Sequence, residues 1–309
     1  MSAISIVTLA KGRAEHLYNL VLGLTRQTTP PSELIVAVMQ DEPYVLPETD
    51  FPVRQLMIAG EALPLAAARN LAARTATGEG LIFLDMDCIP APGLVADYAG
   101  HLATYDGLLM GEVMYLPGGA TKGDWRSEDF ADVAVRHSDR RGPPAEGIEA
   151  CGDYRCFWSL NFAMRRATFL AVGGFHEGYN GYGGEDTDFG KVLDTAGIPI
   201  AWIKGGLAFH QYHPHHMPPV HHLDSVVRNA EVFEAKWGYR TMGHWLQAFR
   251  LMGLVDLAPG QPIRILRRPD DADRALTGQQ SHQPFANTAT VIRLLEDRLA
   301  ASEKARSTG

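Results

Sequence analysis

An α/β fold with a mostly parallel central sheet is what this sequence predicts. Two observations carry it. Short, uniformly apolar runs alternate with segments of helical period through residues 1–115, and one such run, GLIFLD at 80–85, ends on an acidic pair. Alternation of this kind builds βαβ units, and ligands of such sheets bind beyond the carboxyl ends of the strands.

Taken in order, residues 4–9 read as a buried strand followed by Gly12, and residues 15–25 carry Leu17, Leu20, Val21 and Leu24 at helical spacing. Residues 34–39 (LIVAVM) are a second buried strand after the turn signal Thr29-Pro30-Pro31, and residues 53–58 a third, more exposed one. Residues 63–75 are an Ala-rich helix stopped by Gly78, residues 80–84 a strand, and residues 91–102 a helix after Pro90. From 117 to 152 Gly, Pro and charge dominate, and Trp125 stands without an obvious core partner. A loop of that length is expected to be functional or disordered, and this segment, or the glycine loop around Tyr182, to order over a bound donor. Residues 156–175 return to apolar alternation, 185–196 read as a helix stopped by Gly197, and 198–203 as a strand. Residues 223–249 read as one amphipathic helix, and the polar stretch from Arg264 to the final KARSTG as a frayed tail. The expected division is a nucleotide-binding half at 1–115, an acceptor and catalytic half at 116–250, and a C-terminal extension at 251–309.

Composition narrows the function classes. Hydrophobic residues make up 46% and charged residues 21% of 309, which excludes disordered, collagen-like and coiled-coil chains. A core of this size needs no disulfide or structural metal. Lys plus Arg number 28 against 36 Asp plus Glu, a net charge of −8 that repels phosphate backbones and argues against a nucleic-acid partner. No apolar run reaches the roughly 18–20 residues of a transmembrane helix. The opening MSAISIVTLAKGR lacks a basic n-region and a small-residue cleavage site, so it reads as a strand rather than a leader. Cys88, Cys151 and Cys156 fit neither a disulfide framework nor a zinc ribbon. The expected location is the cytoplasm, or the periphery of the inner membrane.

Three clusters carry chemistry. Asp85-Met86-Asp87, on an extended strand, would turn both carboxylates to one side with Met86 in the core, where a cation would relieve their repulsion. A turn or helix cap is the other reading. Gly181-Tyr182-Gly183-Gly184-Glu185-Asp186-Thr187-Asp188 leads into a helix. Acidic residues suit a helix N-terminus, but an aromatic ring between glycines also suits a sugar face, with a carboxylate beside it to take a hydroxyl proton. The run His210-Gln211-Tyr212-His213-Pro214-His215-His216, with His221 and His222, offers imidazole ligands. His210, directly after an apolar strand, is the best placed and His213 the second choice.

With these residues in view, the chain resembles the GT-A glycosyltransferases of family 2 and the β-1,4-galactosyltransferase-like members, over residues 3 to 240. The matching pieces are Lys11-x-Arg13-x-x-His16-Leu17, Ala68-Arg69-Asn70 before GLIFLDMDCIP, residues 162–175 leading to GYGGEDTDF, and a histidine after the next strand. Ala230, Phe233 and Lys236-Trp237-Gly238 follow the same pattern. The resemblance implies a Rossmann-like sheet with nucleotide and acceptor halves fused in one domain. It implies an inverting, metal-dependent hexosyltransferase that moves a sugar from a nucleotide-sugar, UDP-linked, to a carbohydrate or other hydroxyl acceptor. Mn2+ or Mg2+ would be held by Asp87 and His210, with Asp85 and His213 as further candidates. Leu9, Ala10, Lys11, Arg13, Asp41, Asn70, Asp85, Met86, Tyr182, Gly183 and Gly184 would bind the nucleotide-sugar, Asp186 would be the base, and Glu185 would hydrogen-bond sugar hydroxyls. Two departures stand out: Tyr182 replaces the usual Trp, and Leu63-Pro64-Leu65 stands where a Phe-Asn-Arg segment supplies a phosphate-binding arginine. Retaining transfer and a non-catalytic sugar- or metal-binding module stay open. A nucleotidyltransferase fits less well, because Leu9-Ala10-Lys11-Gly12-Arg13-Ala14 has one glycine where that class carries a glycine-rich loop.

Overall fold

The computed structural model describes residues 3–60, 63–278 and 288–307. The chain divides into two compact units, residues 1–180 with 185–212, and residues 181–184 with 213–309. Among the described residues no helix is long and apolar enough to cross a membrane.

The first unit opens with β1 (Ile4–Ala10), α1 (Ala14–Thr25), β2 (Glu33–Val38), β3 (Val53–Met57), α2 (Leu65–Thr75) and β4 (Gly80–Leu84). It continues through β5 (Cys88–Pro90), α3 (Leu94–Thr104), β6 (Leu108–Met110), β7 (Val113–Tyr115), α4 (Ser127–Phe130), β8 (Val135–Arg136) and β9 (Ile148–Ala150). β10 (Asn161–Arg165), α5 (Arg166–Ala171), α6 (Glu185–Thr195), β11 (Ile200–Ile203) and β12 (Ala208–His210) complete it. The main sheet has the order β3-β2-β1-β4-β10-β6-β11-β9. Its first four strands are parallel, as the apolar runs predict, and β10 is antiparallel to both of its neighbours. Ala66, Ala68, Ala72 and Ala73 keep the buried face of α2 small. Beneath the sheet, Phe83 stacks on Phe162 and Phe175 on Phe189, each at 4.4 Å between centroids.

A second sheet, β5-β12-β7-β8, sits within the same unit. It takes in part of the long segment at 117–152, which is therefore not the bare loop expected from its composition. Trp125 is only 5% exposed, clustered with Ile89, Leu116, Phe130 and Phe209, and its indole N–H donates to Asn19 at 3.0 Å. The expectation that Trp125 lacks a core partner is corrected: it anchors the segment to α1.

The second unit holds α7 (Leu223–Trp237), α8 (Gly243–Leu251), β13 (Val255–Asp256), β14 (Arg264–Ile265), α9 (Asp271–Thr277) and α10 (Thr288–Ser307). The single helix expected at 223–249 is two. Gly238 closes the first with φ of 81°, its N–H donating to Glu234, and Met242 at φ of 55° precedes the second. Nor does the chain fray from Arg264. α9 starts with a reciprocal cap between Asp270 and Asp273, and Leu295 of α10 joins the apolar cluster of Leu246 and Phe249. Thr308 and Gly309, the end of the expected tail, lie outside the described residues.

Candidate active site

The DMD segment does not continue β4 as a strand. The Cys88 N–H donates back to the Asp85 carbonyl at 2.8 Å and closes a turn, while the Asp85 N–H donates to Leu160. Met86 is buried as expected, but the two carboxylates diverge. Asp85 reaches Arg69 at 3.1 Å, and Asp87 reaches Arg13 at 2.7 Å. The one-faced pair expected of a strand is thus corrected by the turn.

Strand register brings His210 to Asp87. Cys88 of β5 pairs with His210 of antiparallel β12, and the next N–H, that of Gln211, donates to the Asp87 carbonyl at 2.7 Å. His210 Nε2 consequently lies 3.6 Å from Asp87 Oδ1, with its ring stacked on Tyr115 at 4.8 Å. His213, three residues later, falls in the second unit. A carboxylate with an imidazole fits a divalent transition-type ion. Asp85 is not in that pair, because Arg69 holds it.

Arg69 organises the other side. Its guanidinium, 5% exposed, bonds Asp85 through Nη2 and Glu185 through Nη1 at 3.2 Å, and lies 5.4 Å from the Phe175 ring centre. Burial opposes its charge, but Asp85 and Glu185 outweigh that and raise its pKa. Asp85 is pushed up to about 6, first by burial and then by the neighbouring charge of Asp87, with Arg69 opposing. Glu185 is pushed up to about 7 by burial and by Asp186, again against Arg69. Its Oε2 is buried without a hydrogen-bond partner among the described residues. Asp186, next on α6, is half-buried; its Oδ1 accepts from the Thr187 N–H at 2.7 Å, and desolvation raises its carboxyl.

A stability test follows from Glu185. Its folded pKa of about 7 exceeds the ordinary 4.5, so the contribution is fully present below 4.5 and is lost as pH rises through 7. The Glu185→Gln protein is expected to lack that loss, gaining about 1–3 kcal/mol on wild type between pH 5 and pH 8. Urea midpoints of the two proteins across that range check it; parallel curves would contradict it.

The remaining expected ligand residues fall in distinct places. Leu9 and Ala10 end β1, followed by Lys11 and a left-handed pair, Gly12 at φ of 60° and Arg13 at 41°. That turn is held by Gln40 on the Gly12 N–H and by the Tyr44 hydroxyl donating to the Gly12 carbonyl. Arg13 is exposed at the start of α1. Asp41 lies on the exposed turn after β2. Asn70 is buried with its amide committed: Nδ2 donates to the Phe175 carbonyl and Glu177, and Oδ1 accepts from the Phe175 N–H. In the second unit Tyr182 stacks on His222 at 4.9 Å and on Trp245 at 5.6 Å, and its N–H donates to Ser225. Gly183 and Gly184 both have φ of 94°, which explains the glycines at these positions. Burial and the neighbouring imidazoles lower His221 to about 4.

Sequence reasoning missed Arg69 as a site residue, although it stands in the Ala68-Arg69-Asn70 motif; a charge among the alanines of the helix's first half was the available signal. It missed Gln211 too, because that role is played by the backbone.

Comparison with known proteins shows what the chain is similar to. Residues 147–216 match the family described as the N-terminal domain of galactosyltransferase. The chain is 27% identical over 257 residues to the uncharacterized glycosyltransferase YfnE of Bacillus subtilis, covering 68% of this chain and 65% of that protein. It is 27% identical over 246 residues to validoxylamine A glucosyltransferase of Streptomyces hygroscopicus subsp. limoneus, covering 69% and 52%. The chain thus spans between about half and two thirds of these curated relatives. A crystal structure of GalNAc-T7 with UDP, GalNAc and Mn2+ superposes with a TM-score of 0.50 at 16% identity, covering 69% of this chain and 44% of that one. That likeness bears on the fold alone.

Proposed function

We propose that this chain, a protein of the GT-A glycosyltransferase fold, transfers a hexose from a UDP-sugar to an acceptor hydroxyl in the cytoplasm, with inversion and with a divalent cation bound. One observation carries the reading. A single guanidinium, Arg69, joins the DMD turn to Glu185 of the glycine-acid motif, 116 positions away, so the two motifs serve one site. The similarity to a glucosyltransferase supports hexosyl transfer. Three free cysteines suit a reducing compartment.

Asp87 and His210 would hold the cation, with His213 a further candidate, and mixed oxygen and nitrogen donors favour Mn2+ over Mg2+. Bound there, it would supply Lewis-acid neutralisation of the charge that builds on the departing diphosphate. Lys11 and Arg13, on the turn after Leu9 and Ala10, face the same charge. Arg13 leaves Asp87 for the diphosphate when the nucleotide binds. Asp85, Met86 and Asp41 border the nucleotide, Asn70 holds the Phe175 turn in place, and Tyr182 with Gly183 and Gly184 seats a sugar face. Asp186 takes the acceptor proton as the hydroxyl oxygen bonds to the anomeric carbon and the sugar–phosphate bond breaks. Glu185, anchored through Oε1, offers Oε2 to a sugar hydroxyl.

The test is a screen of UDP-, GDP- and TDP-sugars for Mn2+-dependent donor hydrolysis, with the product anomer read by NMR. A UDP-sugar should turn over, lose activity in EDTA and give the inverted anomer. Full activity in chelator would end the metal assignment, and a retained anomer the inverting one. His210→Ala is expected to weaken Mn2+ binding about 10–100-fold by calorimetry, His213→Ala less, and His215→Ala not at all. Equal losses at His210 and His215 would contradict the assignment.

A further inference from the structure

Away from the carboxylates, the first unit contains a cavity of about 520 Å³ lined by Arg140, Trp158, Trp202 and the segment from Cys151 to Cys156. Arg140 is the unusual member. It is 8% exposed, and both of its terminal nitrogens are buried without a hydrogen-bond partner among the described residues. The neighbouring arginines are matched: Arg141 pairs with Glu149 and Arg155 with Asp153. Arg140 instead lies 5.0 Å from the Trp158 ring centre and 4.6 Å from that of Trp202. Indole faces attract a cation but leave the four N–H donors of its two terminal nitrogens unused. An uncompensated buried charge is costly to the fold, and burial here works against the protonated form. A site that keeps such a group is built for an anion.

We propose that this cavity binds a carboxylate-bearing sugar, Arg140 receiving the carboxylate and Trp158 the apolar face of the ring. The guanidinium fork matches a carboxylate in two parallel bonds. Trp158 is only half-buried, so it has surface left to offer, whereas Trp202 is 4% exposed and backs the site. A free inorganic anion would make no use of an indole wall. The cavity also connects to the candidate active site through packed rings. His137 meets Trp158 edge-on at 5.1 Å and Tyr115 at 5.6 Å, and Tyr115 stacks on His210 at 4.8 Å. Its role as an acceptor subsite rests on the glycosyl-transfer reading; ligand capture does not.

The experiment titrates the full chain with glucuronate, glucose and inorganic phosphate by calorimetry and indole fluorescence. Glucuronate should bind saturably and at least about tenfold more tightly than glucose. Arg140→Met should lose about tenfold or more of that affinity without a lower Tm, since an apolar side chain replaces a buried charge. Arg140→Lys, which keeps the charge and loses the fork, should also weaken binding if the Met variant fails to fold. Trp158→Ala should weaken glucuronate and spare phosphate. Glucuronate binding no tighter than glucose, or unchanged in the Arg140 variants, overturns the site. Phosphate binding as tightly as glucuronate overturns the sugar class. UDP binding with Mn2+ is measured on the same samples. Its loss in wild type with glucuronate binding intact refutes the donor reading alone, and the converse refutes this site alone.

Discussion

Asp186→Asn is expected to lower turnover by about 100-fold or more while donor affinity stays within a few-fold of wild type. The substitution keeps the oxygen that accepts from the Thr187 N–H at 2.7 Å, so the first turn of α6 keeps its local hydrogen bond. What it removes is the carboxylate's ability to accept the acceptor proton. A residue that only capped the helix would instead cost about 1 kcal/mol of stability and little activity. Steady-state kcat, donor Kd and Tm measured together separate the two. Turnover within a few-fold of wild type would move the base elsewhere. Glu185 is the poorer base on geometry, because its Oε1 is held by Arg69 and the side chain is 7% exposed.

Arg69→Ala should be the most destabilising single change in the site, by about 3–5 kcal/mol, because it strands Asp85 and Glu185 without their shared counter-charge. Adding Glu185→Gln to it should restore a large part of that loss, since one of the two stranded charges is gone. Urea unfolding of the single and double variants closes the cycle. A loss below about 1 kcal/mol for Arg69→Ala would mean that solvent already screens these pairs.

Much of the parallel half was legible in the sequence, because strands buried on both faces carry near-continuous apolar runs, as LIVAV at 34–38 of β2 does. His210 could be picked out by its place after an apolar run. The reason it meets Asp87 could not, since the rung between Cys88 and His210 joins segments far apart in the chain. The sequence leaves the DMD segment open between strand and turn because its deciding bond, Cys88 N–H to the Asp85 carbonyl, is made by backbone rather than by side chains. The break between α7 and α8 hid behind an apolar period that continues past it, with two glycines, Gly238 and Gly243, to mark it. α10 was missed although Val291, Leu295 and Leu299 recur at helical spacing, because Arg293, Glu296, Asp297 and Arg298 interleave with that stripe and give the segment the composition of a tail. Arg69 shows the general limit. Periodicity reports which face of a helix is buried, not which carboxylates a buried charge will meet.

Charge parity at the site has a consequence of its own. Among the described residues, Asp85, Asp87, Glu185 and Asp186 are set against two guanidinium groups, Arg13 and Arg69. Two negative charges are left over, the valence of one divalent ion. Burial first, and then the neighbouring charge of Asp186, raise the Glu185 carboxyl, so it holds a proton more readily than an ordinary carboxyl. Protons and metal therefore compete for the same shortfall. Metal uptake should release protons to the buffer, and calorimetry in buffers of different ionisation enthalpy would count them.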